Sequence, residues 1–457
     1  MLPPLPIPVA LRSIAASLLV AASVPVHATD LIQAWQAART HDATFAAAQA
    51  SLRAALEKIP QGDALLASRL DLVATGVQAR QDYRSGDAAS KPSALTQGQQ
   101  LGASLAFTKP VYDMAGAVAR DRLQREADQA QAQFDQARQD LMLRVARAYF
   151  DVLLAQDNLR LAIAQEQAIS EQLGLAKKTY ELGLTSVTDA DDAQARYDSV
   201  VATEQADRTD LEARADVFRT LTGLPADALQ AIAPAAIPGL IDAVALDTQA
   251  ATAAANNPVV RQLELGVQIA HRQIDQYRLS ASPVVSVVAG YGVQRDSGSI
   301  AASGTRDRTG NASVGVQVSI PLLDGGSRRS LERQAVHLED EQAQSLEAAR
   351  RDAERLARQY AAAVRDGGKR IASLDRASRS GESSANSSRI AREAGVRTTI
   401  DVLNAEQSWY ATLYSLSAAR TDLLFNRLQL AAQAGALDAA ALDQVNTAIA
   451  APSRPIP

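Results

Sequence analysis

The 457-residue chain contains no cysteine. That excludes disulfides, thiolate metal sites, thiol catalysis and lipid anchoring through an N-terminal cysteine. Aromatic residues are scarce as well, at 4%, although hydrophobic residues make up 47%. Ala, Leu and Val carry that apolar fraction, which suits long, closely packed helices better than one large core. Basic residues do not outnumber acidic ones, 46 against 51, for a net charge of −5. With no surplus of positive charge to neutralise phosphates, no nucleic acid partner is expected. The four histidines, His27, His41, His271 and His337, show no ligand spacing, so no metal site is expected. No nucleophile stands with a base and an orienting group at a recognisable spacing. Gly325-Gly326 reads as a turn after Pro321 rather than a phosphate loop, and runs such as Glu339-Asp340-Glu341 read as solvated helix faces. The chain does not read as an enzyme, and no cofactor is implied.

Long hydrophobic runs are also missing. The N-terminus carries Arg12, an apolar stretch Ile14 to Val24 and a small-x-small site at Val26-His27-Ala28, the layout of a secretory signal. A buried N-terminal helix is the competing reading. Beyond it no segment reaches the roughly 18 apolar residues of a transmembrane helix. If the exported chain spans a membrane, it must do so as a β-barrel.

What the sequence does contain is one pattern written twice. Phe107-Thr108-Lys109-Pro110-Val111-Tyr112-Asp113 returns as Val318-Ser319-Ile320-Pro321-Leu322-Leu323-Asp324, an offset of 211 (321 − 110). Ala146-Arg147-Ala148-Tyr149 matches Ala357-Arg358-Gln359-Tyr360 at the same spacing, and Gly183 to Asp189 matches Gly395 to Asp401 at 212 (401 − 189). Three separated matches at nearly one spacing indicate a tandem duplication. The resulting division is a signal at 1–28, a first repeat at 29–223 and an inter-repeat segment at 224–241. A second repeat at 242–436 and a C-terminal tail at 437–457 follow. Pro225, Pro234 and Pro238 punctuate the inter-repeat segment, which reads, like the tail, as a linker.

Each repeat holds two strand-like segments, 69–83 and 98–109 in the first, 283–296 and 309–321 in the second, around polar Gly/Ser-rich loops. In 312–320 the residues Ala312, Val314, Val316, Val318 and Ile320 share one face, against Ser313, Gly315, Gln317 and Ser319. Val285, Val287, Ala289, Tyr291 and Val293 alternate likewise, as do Leu101, Ala103, Leu105 and Phe107; Leu70 to Arg80 is the least clean. One apolar and one small-polar face per strand is the pattern of a membrane barrel. A soluble sandwich has similar inward faces, but four strands among so much helix make a poor independent core. Pro110 and Pro321 are expected to end the second strand of each repeat, with Tyr112 and Tyr291 near the barrel ends as interfacial aromatics. Met114 to Leu182 has no Pro and two Gly over 69 residues, a helix of roughly 100 Å. Arg328 to Ala394 is its counterpart, and Gly367-Gly368 is expected to loosen or break it. Such helices must pack side by side as coiled coils.

Helix, two strands and a helix pair, repeated behind a signal, resembles the TolC family of outer-membrane exit ducts over about Asp30 to Gly435. The most specific motif is Gly395-Val396-Arg397-Thr398-Thr399-Ile400-Asp401-Val402-Leu403-Asn404, with a weaker copy at Gly183 to Asp192. The resemblance implies a mainly α fold with a membrane β-barrel, in which a homotrimer contributes twelve strands to one barrel and its helices form a periplasmic tunnel. It also implies outer-membrane lipid, a periplasmic adaptor and an inner-membrane ABC transporter or other pump as partners. Type I secretion of an unfolded protein and drug or metal efflux are both uses of the family, and the absence of a lipid anchor leans towards secretion. A periplasmic structural coiled coil is the remaining alternative.

Residue by residue, the resemblance places Asp401 in a ring at the tunnel constriction and Arg397 in a network tying helix pairs to Thr188 and Asp189. The tip turns Gly183, Leu184, Thr185, Gly395, Val396 and Thr398 become the adaptor contact. Two positions depart from the family pattern: Asn404 stands where a second acidic ring is expected, and Arg392 where a Tyr of the closing network is expected. Ser186 to Asp189 and Thr398 to Asp401 also fit capping boxes, so both acids have a purely local reading too. Trp409 and Tyr410 read as packing knobs between helices.

Overall fold

The computed structural model describes residues 28–83, 94–241, 243–301, 304–447 and 449. The signal segment 1–27, the tip of the first strand loop (84–93) and the end of the tail lie outside the described residues. Three short helices, α1 (Leu31–His41), α2 (Ala43–Leu56) and α3 (Lys58–Ala64), lead into β1 (Arg69–Tyr83) and β2 (Ala94–Tyr112). α4 (Met114–Glu181) and α5 (Val187–Thr222) follow. The second half repeats the plan with α6 (Ala243–Asn256), α7 (Pro258–Leu279), β3 (Val284–Gly298), β4 (Arg306–Ser319), α8 (Ser327–Glu393) and α9 (Thr399–Gln433). A short α10 (Ala439–Asn446) closes the described chain.

The four strands form one antiparallel sheet in chain order. Its register aligns the apolar faces: Leu72 lies opposite Leu105, Leu105 opposite Tyr291, and Tyr291 opposite Ala312. That register resolves the unclear first strand, placing Leu70 and Leu72 on the same face as Leu101, Leu105, Val314 and Val316. All six are exposed. An apolar face this open, in a sheet whose β1 and β4 edges have no strand partner among the described residues, is not a stable surface in water. Pro110 does not end β2; the strand continues to Tyr112 with a register shift between Pro110 and Tyr112. A proline lacks the ladder N–H, and a bulge is where a strand accommodates that loss. β4, by contrast, stops at Ser319, before Pro321.

The helices build two long hairpins. α4 has 68 residues and α8 has 67, each about 100 Å at 1.5 Å per residue. Asp113 caps α4 by accepting from the Gly116 N–H at 2.8 Å. α5 folds back along the far half of α4, and α9 along α8, while α7 packs between α4 and α8 nearer the sheet. The expected break at Gly367-Gly368 is absent: α8 is continuous through both. A Cβ on Gly367 would stand 3.4 Å from Leu423, and one on Gly368 only 2.4 Å from Ile241. The glycines serve close approach of α9 and the inter-repeat segment, which outweighs their poor helix propensity. Trp409 uses a third gap in α8, lying 3.2 Å from where a Cβ on Gly381 would be.

The largest core sits midway along the hairpins. Tyr149, Phe150 and Phe218 are fully buried there with Leu31, Leu141 and Leu424. The inter-repeat segment joins it through Ala226 and Ile237, and the C-terminal region through Leu442, Val445 and Ile449. These segments therefore pack as a collar on the helices. No helix among the described residues is long and apolar enough to cross a membrane.

Candidate functional site

The hairpin tips, at the end farthest from the sheet, are built by the same local rules in both repeats. α4 closes with Gly183 at φ +70°, α8 with Gly395 at φ +73°. The Gly183 N–H donates to the Tyr180 carbonyl at 2.8 Å and the Leu184 N–H to Thr179 at 2.9 Å. Gly395 and Val396 repeat this with Arg392 at 2.9 Å and Ala391 at 2.8 Å. This double closure needs a left-handed residue just past the helix, which glycine adopts without a side-chain clash. Leu182, Leu184 and Val396 project from the turns at 66%, 72% and 78% exposure.

The next helices start differently. Thr398 caps α9 in a complete capping box: its hydroxyl accepts from the Asp401 N–H at 3.2 Å, and Asp401 Oδ2 accepts from the Thr398 N–H at 2.9 Å. The Thr398 N–H and hydroxyl hold the exposed Asp401 carboxyl below the usual carboxylate range. Ser186 caps α5 by accepting from the Thr188 N–H at 3.2 Å. The Asp189 N–H donates to the Ser186 carbonyl at 3.2 Å, and among the described residues its carboxylate makes no return bond, so the capping box expected there does not form.

The remaining sequence-selected residues separate. Arg397 donates to Ser388 Oγ at 2.8 Å, within its own hairpin, and among the described residues no hydrogen bond joins it to Thr188 or Asp189. Arg392 reaches from α8 across to α4, donating to Gln172 Oε1. Asn404 Oδ1 accepts from Arg196 Nη2 of α5 at 2.7 Å, and the same guanidinium donates to Gln407. Arg196, Gln172 and Gln407 were not singled out from sequence. The available signal was the spacing of Asn404 and Gln407, three apart on one helix face, opposite an arginine seven residues past Asp189.

Behind the tip lies a buried acid. The Glu406 side chain has no exposed area, and its Oε1 accepts from Arg389 Nε at 2.7 Å. Oε2 has no hydrogen-bond partner among the described residues. Burial pushes the carboxyl up, against the opposing pull of Arg389 and Arg392. Among the described residues no group of acids and histidines is arranged to hold a metal ion.

Comparison with known proteins decides what this architecture is. The family model described as outer membrane efflux protein matches residues 34–224 and 250–436. The chain belongs to the outer membrane efflux protein family. It is 27% identical over 427 residues to outer membrane protein TolC of Vibrio cholerae, covering 93% of this chain and 95% of that one. It is 29% identical over 345 residues to the alkaline protease secretion protein AprF of Pseudomonas aeruginosa, covering 75% and 71%. The outer membrane protein VceC of Vibrio cholerae superposes with a TM-score of 0.73 over 89% of this chain and 96% of its own, at 19% identity. As an outer membrane efflux protein, the chain is a non-enzymatic channel component of the outer membrane. Its fold is that of a helical tunnel continued by a barrel, so the tips lie at the periplasmic end.

Proposed function

We propose that this protein is the exit duct of a type I secretion machine, passing an unfolded polypeptide handed over by an ABC transporter and a periplasmic adaptor. The observation that carries the duct is the sheet, with one continuous apolar face and two edges that have no strand partner among the described residues. Four strands cannot close, whereas three copies supply twelve, enough for a lipid-facing barrel without edges. Secretion is favoured over drug or metal efflux by the similarity to AprF, a secretion protein by its printed name. Each homotrimer then carries six hairpin tips facing the adaptor, and Leu182, Leu184 and Val396 offer apolar knobs for that contact. Asp401 from each copy rings the entrance, where fixed negative charge attracts cations, and Asn404 leaves the ring less negative than two acidic layers would.

The test is reconstitution in a cell that lacks its own duct, supplied in parallel with a protein-exporting ABC system or a proton-driven drug pump. Release of the polypeptide into the medium supports secretion; restored drug resistance without release overturns it in favour of efflux.

A further inference from the structure

Charge on the sheet is sorted by face. Along β3 the alternation that puts Val285, Ala289, Tyr291 and Val293 on the apolar side continues to Arg295. Along β4 it runs back from Val314 through Ala312 and Gly310 to Arg308. These two arginines are direct partners across the β3–β4 ladder, and both are exposed. The neighbouring acids, Asp296 and Asp307, pair on the opposite face. Among the described residues neither Arg295 nor Arg308 takes part in an ion pair or a hydrogen bond. Like charges directly opposite on one face repel, and an anion lying between them reverses the sign of that interaction. From Val285 to Arg295 the strand rises by roughly 25 Å once its tilt is allowed for, the height of a barrel's apolar band. Arg295 lies near the end of β3 at Gly298, away from the helices. The pair therefore stands where the apolar band meets the outer leaflet's headgroups.

The surface around the pair has the layout of a lipid. Arg295 and Arg308 line a groove of 380 Å³ with Leu101, Ala103 and Val293. Farther along the same face, towards the helices, Leu105, Phe107, Tyr291 and Val314 surround the small Ala289 and Ala312, leaving an apolar trough of 360 Å³. The two hollows together run roughly 20 Å along β4, a length that suits an acyl chain. In the other direction the same face carries the exposed amides of Gln78, Gln97 and Gln99. From these features we propose that the outer wall of the barrel holds a phosphorylated glycolipid of the outer leaflet. Its phosphate lies on the arginine pair, whose planar forks match phosphate oxygens. Its sugar hydroxyls meet the glutamines, and an acyl chain fills the trough. The amides favour a sugar headgroup over a small phospholipid headgroup, which would not reach them. The proposal rests on the apolar face being the lipid-facing wall of the barrel, whatever cargo the duct carries.

The experiment is native mass spectrometry of the full-length protein, released from detergent micelles with one added lipid at a time. The lipids are diphosphoryl lipid A, its monophosphoryl form, phosphatidylglycerol and phosphatidylcholine. The native protein should retain one diphosphoryl molecule per copy and hold the monophosphoryl form and phosphatidylglycerol several-fold more weakly. Arg295→Gln and Arg308→Gln should each weaken retention roughly ten-fold, and both together should reduce it to the level of phosphatidylcholine. Ala312→Trp, which fills the trough and leaves both arginines in place, should also weaken it. Unaltered channel conductance in planar bilayers shows that each variant is folded and inserted. Equal retention of lipid A by the native protein and the double arginine variant overturns the site. Phosphatidylglycerol held as tightly as lipid A overturns the glycolipid assignment. A native protein that conducts but retains no lipid A overturns the site alone, whereas one that never inserts overturns the barrel with it.

Discussion

Glu406 offers the sharpest test of the tip energetics. Its side chain is fully buried, and its one partner, Arg389, is 34% exposed. Replacing Arg389 by Ala leaves a carboxylate stranded in a dry helical interface. Removing one member of a buried pair costs about 3–5 kcal/mol, and the partial exposure of Arg389 argues for roughly the lower figure. The acid has an escape, which is to take up a proton. Neutralisation costs about 1.4 kcal/mol for each pH unit above the ordinary value, which for this carboxyl is 4.5. At pH 8 that route is dearer than the stranded charge, so the full loss of about 3 kcal/mol is expected. At pH 6 it caps the charge penalty at about 2 kcal/mol, and at pH 5 at under about 1. The sign agrees with the native state: burial raises the folded pKa, so between the ordinary and the raised value the folded form binds more protons. Stability from this group therefore falls as pH rises through that window and recovers as pH is lowered. Guanidinium unfolding in detergent, native against Arg389→Ala at pH 5, 6 and 8, reads the difference directly. The double variant Arg389→Ala with Glu406→Gln should show a small loss that does not vary with pH. A loss of equal size at all three pH values in the single variant would refute the reasoning, because it would mean that no buried charge was stranded.

Three further outcomes are expected. Asp401→Ala removes the return bond of the capping box and should lower the unfolding temperature slightly; bilayer recordings should also show weaker cation selectivity if the residue rings the entrance, and unaltered selectivity confines it to capping. Val316→Arg on the exposed face of β4 should impair insertion by about 2–4 kcal/mol if it faces the bilayer midplane, seen as a lower denaturant midpoint for refolding into vesicles, whereas tolerance would argue against a lipid-facing sheet. Gly395→Ala forces a side chain into a left-handed conformation and should cost about 1–2 kcal/mol; hydrogen exchange at Val396 and Ala394 should speed up, while exchange in the central core should not.

Much of this fold was legible because its signals are periodic. Alternation exposed the strands, and the 211-residue offset revealed the duplication. Long stretches free of proline gave α4 and α8 nearly to their ends, and Gly183 and Gly395 marked the turns because only a left-handed residue closes a helix that way. What stayed hidden depends on partners distant in sequence. Gly367-Gly368 resembled a break because helix propensity is a local measure, while the approach of Leu423 and Ile241 is not. Pro110 looked like a strand end because its missing donor was visible, while the bulge that absorbs it depends on pairing with β3. Arg196 was one of 40 arginines in the chain, and only the crossing of α5 over α9 distinguishes it. Glu406 likewise looked like any helical acid until the packing of α9 on α8 buried it against Arg389.

The paired glycines of α8 also have a mechanical meaning. Gly368 lies 25 residues before the helix ends at Glu393, a lever arm of nearly 40 Å. A helix pressed closest to its neighbours at one point, and free of bulky side chains there, turns about that point as on a fulcrum. Tilting the arm by about 10° carries its end some 6–7 Å sideways, by the same helical rise. The tip of α8 can thus move by several ångströms while the collar near the fulcrum shifts by a fraction of one, so the far end of this hairpin can be displaced without unpacking its middle.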